Sequence, residues 1–299
     1  MGSCAWKMWV AGVAGVVAMS AQAAVPQPDV DIRASGWHVV VNLPQTRMFV
    51  YRDGELQRVY PVAVGKLLTQ TPIGQYNVTG IHRDPAWHVP KSIQEEMKRS
   101  GKPVQTVVPP GPDNPLGKVF IRFGEARLGL GFHGTNAPGS VPGFRSHGCV
   151  RLKNGDALTL AGTVPVGAAV TVSYQSVLLN EDDNGNLWLT AYHDQYKQSD
   201  VRLKTLASVL LDWQRERAIA VHGKRVDVAL KERSGRPVCL TCKVGGSGKP
   251  QDGGLTAVRW LSSPSQPASA PAVEPVEPDY APQPAPKPGL DAKAPVKPV

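Results

Sequence analysis

A cysteine, two histidines and an arginine fall close together among glycines: His133-Gly134-Thr135, a Gly/Pro-rich loop, then Ser146-His147-Gly148-Cys149-Val150-Arg151-Leu152. A thiol attacks a carbonyl carbon as thiolate, and a neighbouring imidazole or cation draws its pKa down from about 8.5 into the working range. Gly134 and Gly148 permit tight turns and let a substrate approach the backbone closely. These residue types point to Cys149 as a nucleophile and to acyl transfer as its chemistry. In an extended backbone Cys149, Arg151 and His147 share one face, with Val150 and Leu152 on the other. From the residues alone both His133 and His147 stand as the base. His147 is near in the chain, yet alternate side chains of an extended segment need not meet. Arg151 is either a cation that serves the thiol or an ion-pair partner of the fold.

The elements that must position this group read as β. Trp37–Asn42 and Arg47–Arg52 are strands, Asp53-Gly54 is a hairpin turn, and Leu56 to Val64 returns from it. Thr71-Pro72-Ile73-Gly74 turns into a further strand, Tyr76 to Gly80, with Pro72 presetting the turn and Gly74 permitting it. Lys118–Phe123 and Leu128–His133 lead into the site; after it, Asn154 caps a helix over about Asp156–Ala161 and Ala168–Tyr174 is the closing strand. Short strands with frequent turn signals suggest a sandwich or barrel.

The segment from His82 to Lys118 breaks the rhythm. It holds Trp87, a helix announced by the capping box Ser92-x-x-Glu95 and stopped at Gly101, and the Pro-rich run Val108–Pro115. An insertion of this length before a reactive stretch is a lid or substrate wall, or else a surface excursion.

Beyond Tyr174, Val177–Tyr192 reads as a hairpin around Asn184-Gly185. Ser199–Ala220 reads as a helix packing through Leu203, Leu206, Val209, Leu210 and Trp213, and Arg225–Leu230 as a strand. From about Ser262 the chain is Pro, Ala, Gln and charge, which cannot bury enough surface to offset ordering. The expected organisation is a leader over 1–23, a catalytic domain over 36–175, an accessory α/β region over 176–245 and a disordered tail over 262–299.

Lys7, the apolar run Met8–Ala18 and Ala21-Gln22-Ala23 form a secretory signal pattern with cleavage after Ala23, too short to span a bilayer. Export implies a periplasmic setting, in which Cys239 and Cys242 bridge each other as a structural disulfide and Cys149 stays unpaired. No second Cys/His pair at metal-like spacing accompanies them, so neither a metal nor a cofactor is expected. The chain has 299 residues and a formal charge of +9, suiting a carboxylate-rich wall polymer; its Lys and Arg are scattered, which with export argues against nucleic acid.

Taken in order, Thr71-Pro72-Ile73-Gly74, His133-Gly134-Thr135 and Ser146–Leu152 resemble the L,D-transpeptidases of the YkuD type, over roughly Trp37 to Tyr174. Val108–Gly117 is similar to the Pro-rich insertion of the proteobacterial branch. The resemblance implies a mainly β sandwich with short helices, a peptidoglycan stem peptide as substrate and Cys149 as nucleophile. It assigns the base to His133, oriented by a backbone carbonyl near Gly134, and leaves Ser146 and His147 as site support. Gly148 and Cys149 N–H groups are the candidates for the oxyanion, and Arg151, Thr135 and Trp87 for substrate contact. The implied reaction releases D-Ala from a tetrapeptide donor and passes the acyl group to a diamino-acid side chain (a 3→3 crosslink), to an envelope protein, or to water. A wall-binding module without catalysis and a thiol–disulfide enzyme built on Cys239 and Cys242 are the rival readings.

Overall fold

The computed structural model describes residues 24–198, 201–243, 250 and 254–260. The expected leader, the Pro/Ala-rich tail and the first residues of the helix expected from Ser199 lie outside them.

Strands β1 (Trp37–Asn42), β2 (Arg47–Arg52) and β3 (Glu55–Pro61) run antiparallel in succession. Asp53 and Gly54 both take positive φ, 50° and 84°, which a tight turn matched to strand twist requires. Alternation divides β1 and β2 between two apolar faces. Val39, Val41, Met48 and Val50 enter the main core, and Val40, Phe49 and Tyr51 face the other way. That outer face is covered by Val25, Val30 and Ile32, from a segment preceding the expected domain. Gln45 Nε2 donates to the Pro26 carbonyl at 2.7 Å and the Tyr51 hydroxyl to Gln27 Oε1 at 3.0 Å.

The expected strand Leu56–Val64 divides at Val62, and β4 (Ala63–Gly65) leaves β2 for the far half of the sheet. The half-to-half transition is made by β5 (Gly74–Arg83), longer than the Tyr76–Gly80 expected. An insertion follows, comprising β6 (Trp87–His88), α1 (Lys91–Arg99) and β7 (Val107–Val108). Then come β8 (Val119–Phe123), β9 (Gly131–His133), β10 (Gly143–Ser146), β11 (Val150–Arg151), α2 (Asn154–Thr163) and β12 (Ala169–Ser173).

Ten strands form one sheet in the order β10-β4-β11-β9-β8-β5-β12-β1-β2-β3. The first residues of β5 pair with β12 and the later ones with β8, across a bulge between Val78 and Gly80. A bulge bends its strand and sharpens the local twist. The mostly β sheet curls there, and its two halves share one core that includes Val41, Val78, Ile121, Phe132, Val150 and Val170, with Leu160 of α2.

Several local expectations differ from the structure. No side chain caps α1: its N-terminal flank is Pro90, so the Ser92–Glu95 box does not form, although Gly101 takes φ +69° just past the helix. The insertion is closed instead by buried Asn114, whose amide donates to the carbonyls of Pro85, Val108 and Pro109. The expected strand from Leu128 begins as a 3-10 turn over Ala126–Leu128, reverses at Gly129 (φ 59°), and is extended only from Gly131.

The later region has a four-stranded sheet, β15-β14-β13-β16, built from β13 (Val177–Asp182), β14 (Leu187–Ala191), β15 (Val238–Cys239) and β16 (Leu255–Ala257). Helices α3 (Leu203–Arg217) and α4 (Gly223–Glu232) supply Leu206, Leu210, Trp213, Val226 and Ala229 to its core, whereas Leu203 is exposed. The strand expected over Arg225–Leu230 is therefore helix. Val226, Val228 and Leu230 alternate, but Val226 and Ala229 also recur at helical spacing, and Val228 is the one left in solvent. Cys239 and Cys242 are joined by a disulfide. Among the described residues no helix is long and apolar enough to cross a membrane.

Candidate active site

Strands β9 and β11 lie side by side in parallel, with Phe132 opposite Val150 and His133 opposite Arg151. Directly paired residues project to the same face of a sheet, as do residues two apart. Phe132 and Val150 therefore enter the core together, while His133 and Arg151 emerge on the other side with Cys149, the residue before β11. The Leu152 N–H donates to the His133 carbonyl at 2.8 Å, which fixes the register at the site.

His133 is buried, and its Nδ1 lies 2.6 Å from the Gly134 carbonyl oxygen. A carbonyl only accepts, so Nδ1 carries the proton and the other ring nitrogen of the neutral imidazole holds a lone pair. Burial, reinforced by the Arg151 charge, draws the His133 pKa down to about 4, against the contrary pull of the Gly134 and Pro115 carbonyls. Cys149 is half-buried and its thiol donates to the Gly129 carbonyl at 3.2 Å. Burial pushes this thiol up, while a Gly131 backbone hydrogen bond and the Arg151 charge oppose that. Both shifts favour the uncharged forms, imidazole and thiol. Arg151 is half-buried, and its Nε is buried with no hydrogen-bond partner among the described residues.

The turn before Cys149 is stitched by Ser146. Its hydroxyl donates to the Cys149 carbonyl and accepts the Gly148 N–H at 3.2 Å. Gly148 takes φ +115°, a conformation that favours glycine. The Gly148 N–H, one of the two expected oxyanion donors, is thus engaged by Ser146 in this structure.

Asn154, read from sequence as a helix cap, does other work. It opens α2 without capping it, accepts the Thr135 N–H at 2.9 Å and donates to the Thr135 carbonyl at 3.0 Å. A Cβ on Gly134 would lie 2.1 Å from Asn154 Oδ1, and one on Gly117 would lie 2.2 Å from it. Both glycines leave space for this amide, which holds the carbonyl that orients His133. Thr135, expected to contact substrate, is buried, with Oγ1 accepting the Ala137 N–H at 3.1 Å.

His147 lies on the surface, against the insertion. It is exposed, and its Nε2 meets Glu96 Oε2 of α1 at 3.0 Å and Lys66 Nζ at 3.5 Å. His147 therefore ties the insertion to the cysteine loop. Trp87 is half-buried in the β6–β7 ribbon, opposite Val108.

The family model for the YkuD L,D-transpeptidase catalytic domain matches residues 36–172. The probable L,D-transpeptidase YbiS of Escherichia coli K12 is 31% identical over 212 residues, covering 68% of this chain and 67% of that protein. The chain belongs to the L,D-transpeptidase family. The probable L,D-transpeptidase ErfK/SrfK of the same organism is 32% identical over 212 residues, 68% of this chain and 66% of its own. The chain thus spans about two thirds of the length of these curated relatives. An L,D-transpeptidase from Mycobacterium tuberculosis H37Rv, solved by X-ray crystallography, is 21% identical with a TM-score of 0.36, covering 46% of this chain and 57% of that one. The family match ends at residue 172, whereas the alignments to the Escherichia coli relatives are longer than the matched domain.

Proposed function

We propose that this protein is a periplasmic peptidoglycan L,D-transpeptidase that works through a thioester on Cys149. The observation that supports the reading is the parallel register of β9 and β11, which sets His133, oriented by the Gly134 carbonyl, opposite Arg151, two residues after Cys149. Membership of the family supplies the substrate class.

In this reading the donor is a tetrapeptide stem. As the Cys149 sulfur attacks the carbonyl between the third residue and D-Ala, the thiol proton passes to the unprotonated nitrogen of His133. A neutral resting pair makes His133 a true general base, with the proton moving during attack. The Cys149 N–H stabilises the oxyanion. Collapse breaks the C–N bond, His133 returns the proton to the leaving amine of D-Ala, and the acyl group remains on sulfur. The side-chain amine of a diamino acid on a second stem then attacks the thioester, giving a 3→3 crosslink and restoring the thiol. Ser146, Gly134 and Asn154 hold these groups in place, and Arg151 faces a substrate carboxylate or the developing charge.

The test is muropeptide analysis after incubation with tetrapeptide-rich sacculi. The reading requires free D-Ala and 3→3 linked dimers with the wild-type chain and neither with Cys149→Ala. Tripeptide stems without dimers would make water the acceptor and the protein an L,D-carboxypeptidase. An amide to an added envelope protein would make a protein amine the acceptor.

A further inference from the structure

We propose that Tyr196, contributed from beyond the matched family domain, is a positioning residue for Cys149. This inference rests on the reading of Cys149 as the nucleophile. Tyr196 lies in the segment after β14, and its side chain is buried in the main core rather than in that of the later region. There its ring stacks on Tyr174 with centroids 5.3 Å apart and meets the edge of Phe144 at 5.6 Å. The backbone is held too, since the Tyr196 N–H donates to the Tyr174 hydroxyl at 2.8 Å.

The hydroxyl bridges the two ends of one loop. It donates to the Gly65 carbonyl at 2.7 Å and accepts the Thr71 N–H at 3.2 Å. Within that loop the Gly65 N–H donates to Thr71 Oγ1 at 2.9 Å, and a Cβ on Gly65 would lie 2.1 Å from the Thr69 carbonyl. So the loop closes too tightly for any side chain at Gly65, and a phenol fastens its neck.

What the loop holds is Ser146. Gly65 pairs with Ser146 across β4 and β10, and the Lys66 N–H and Thr69 hydroxyl both donate to the Ser146 carbonyl, at 3.0 and 3.1 Å. Ser146 in turn bonds the Cys149 carbonyl and the Gly148 N–H. Tyr196 thus reaches the cysteine turn by two routes: its ring supports β10 through Phe144, and its hydroxyl supports the loop that grips Ser146. A filler of the core would need the ring alone. The bridging hydroxyl, buried between a carbonyl and an amide, is what assigns Tyr196 to positioning.

The test uses the full chain with Tyr196→Phe, which keeps the ring and removes the bridge. Tyr51→Phe is the control, because it removes a buried hydroxyl from the outer face of β2, away from the site. The primary readout is the pH profile of Cys149 alkylation by iodoacetamide, which needs no peptidoglycan substrate. Tyr196→Phe should shift the midpoint by roughly half a unit or more, with Tyr51→Phe superimposing on wild type. Thr71→Val breaks the neighbouring bond to the Gly65 N–H while leaving the phenol, and should move the profile the same way. For D-Ala release, Tyr196→Phe should lower kcat about tenfold while KM stays within about twofold, as a displaced nucleophile requires. Profiles of Tyr196→Phe and Thr71→Val that both superimpose on wild type overturn the proposal. A wild-type chain that releases no D-Ala refutes the functional reading instead, and the alkylation profiles still decide the role of Tyr196.

Discussion

Arg151 stands directly across from His133 on neighbouring parallel strands, with its Nε buried and without a hydrogen-bond partner among the described residues. Its charge helps hold the His133 pKa down and opposes the rise of the Cys149 thiol. One guanidinium therefore keeps the base unprotonated and makes the nucleophile easier to ionise. Replacing it with Met removes both effects. Arg151→Met should lower kcat/KM for D-Ala release by roughly ten- to hundredfold and move the acid limb of its pH profile upward, because His133 then protonates nearer its ordinary value. An acid limb that stays in place would separate Arg151 from the titration of His133.

The two buried imidazoles make folding stability depend on acidity. Burial first, then a nearby arginine, draws His133 and His38 each to about 4 from an ordinary 6.5. Between those values the unfolded chain takes up protons on both residues and the folded chain does not, so stability falls as pH drops. The contribution is fully present above 6.5 and is lost progressively toward 4, at roughly 1–3 kcal/mol for each residue. Urea midpoints measured across that window should decline with acidity, and replacing His38 with Asn should flatten the slope. A slope unchanged in that variant contradicts the assignment.

Asn154 offers a test of how the base is oriented. Asn154→Ala removes both bonds to the Thr135 backbone and should destabilise the fold by about 1–3 kcal/mol. It should also lower kcat more than it raises KM, because the Gly134 carbonyl loses its support. Loss of stability with an unchanged kcat would leave Asn154 as a brace for the fold alone.

The legible parts of this chain were those whose signals are local. β1 and β2 match their expected bounds because alternation and an Asp-Gly turn coincide there. In the Ser146–Leu152 motif Val150 enters the core and Arg151 does not, as alternation along β11 requires. Non-local relationships were hidden. Asn154 occupies a cap-like position in sequence, and only its packing over Gly117 and Gly134 discloses its role. Those glycines were a usable signal, since each precludes a side chain where an amide must fit. Tyr196 gave no signal at all, lying in a loop beyond the matched domain and touching the site through space. Over α4, alternation and helical spacing coexist in a few residues, and burial decided between them.

The insertion yields a further expectation. Glu96 of α1 meets His147 two residues before Cys149, with both groups substantially exposed. Exposed pairs contribute little to folding, so Glu96→Gln should leave the thermal midpoint unchanged. If α1 is a wall of the donor cleft, the same change should raise KM for tetrapeptide stems and spare kcat. An unaltered KM would make the insertion a surface excursion.

The central claim is that an acyl group passes through the sulfur of Cys149. Intact-mass spectrometry of the protein mixed with a tetrapeptide donor, quenched in acid during turnover, reads this directly. The account predicts an adduct of the donor less D-Ala, removed by hydroxylamine and absent from Cys149→Ala. Sustained D-Ala release by Cys149→Ala, or an adduct mapped to another residue, would contradict it.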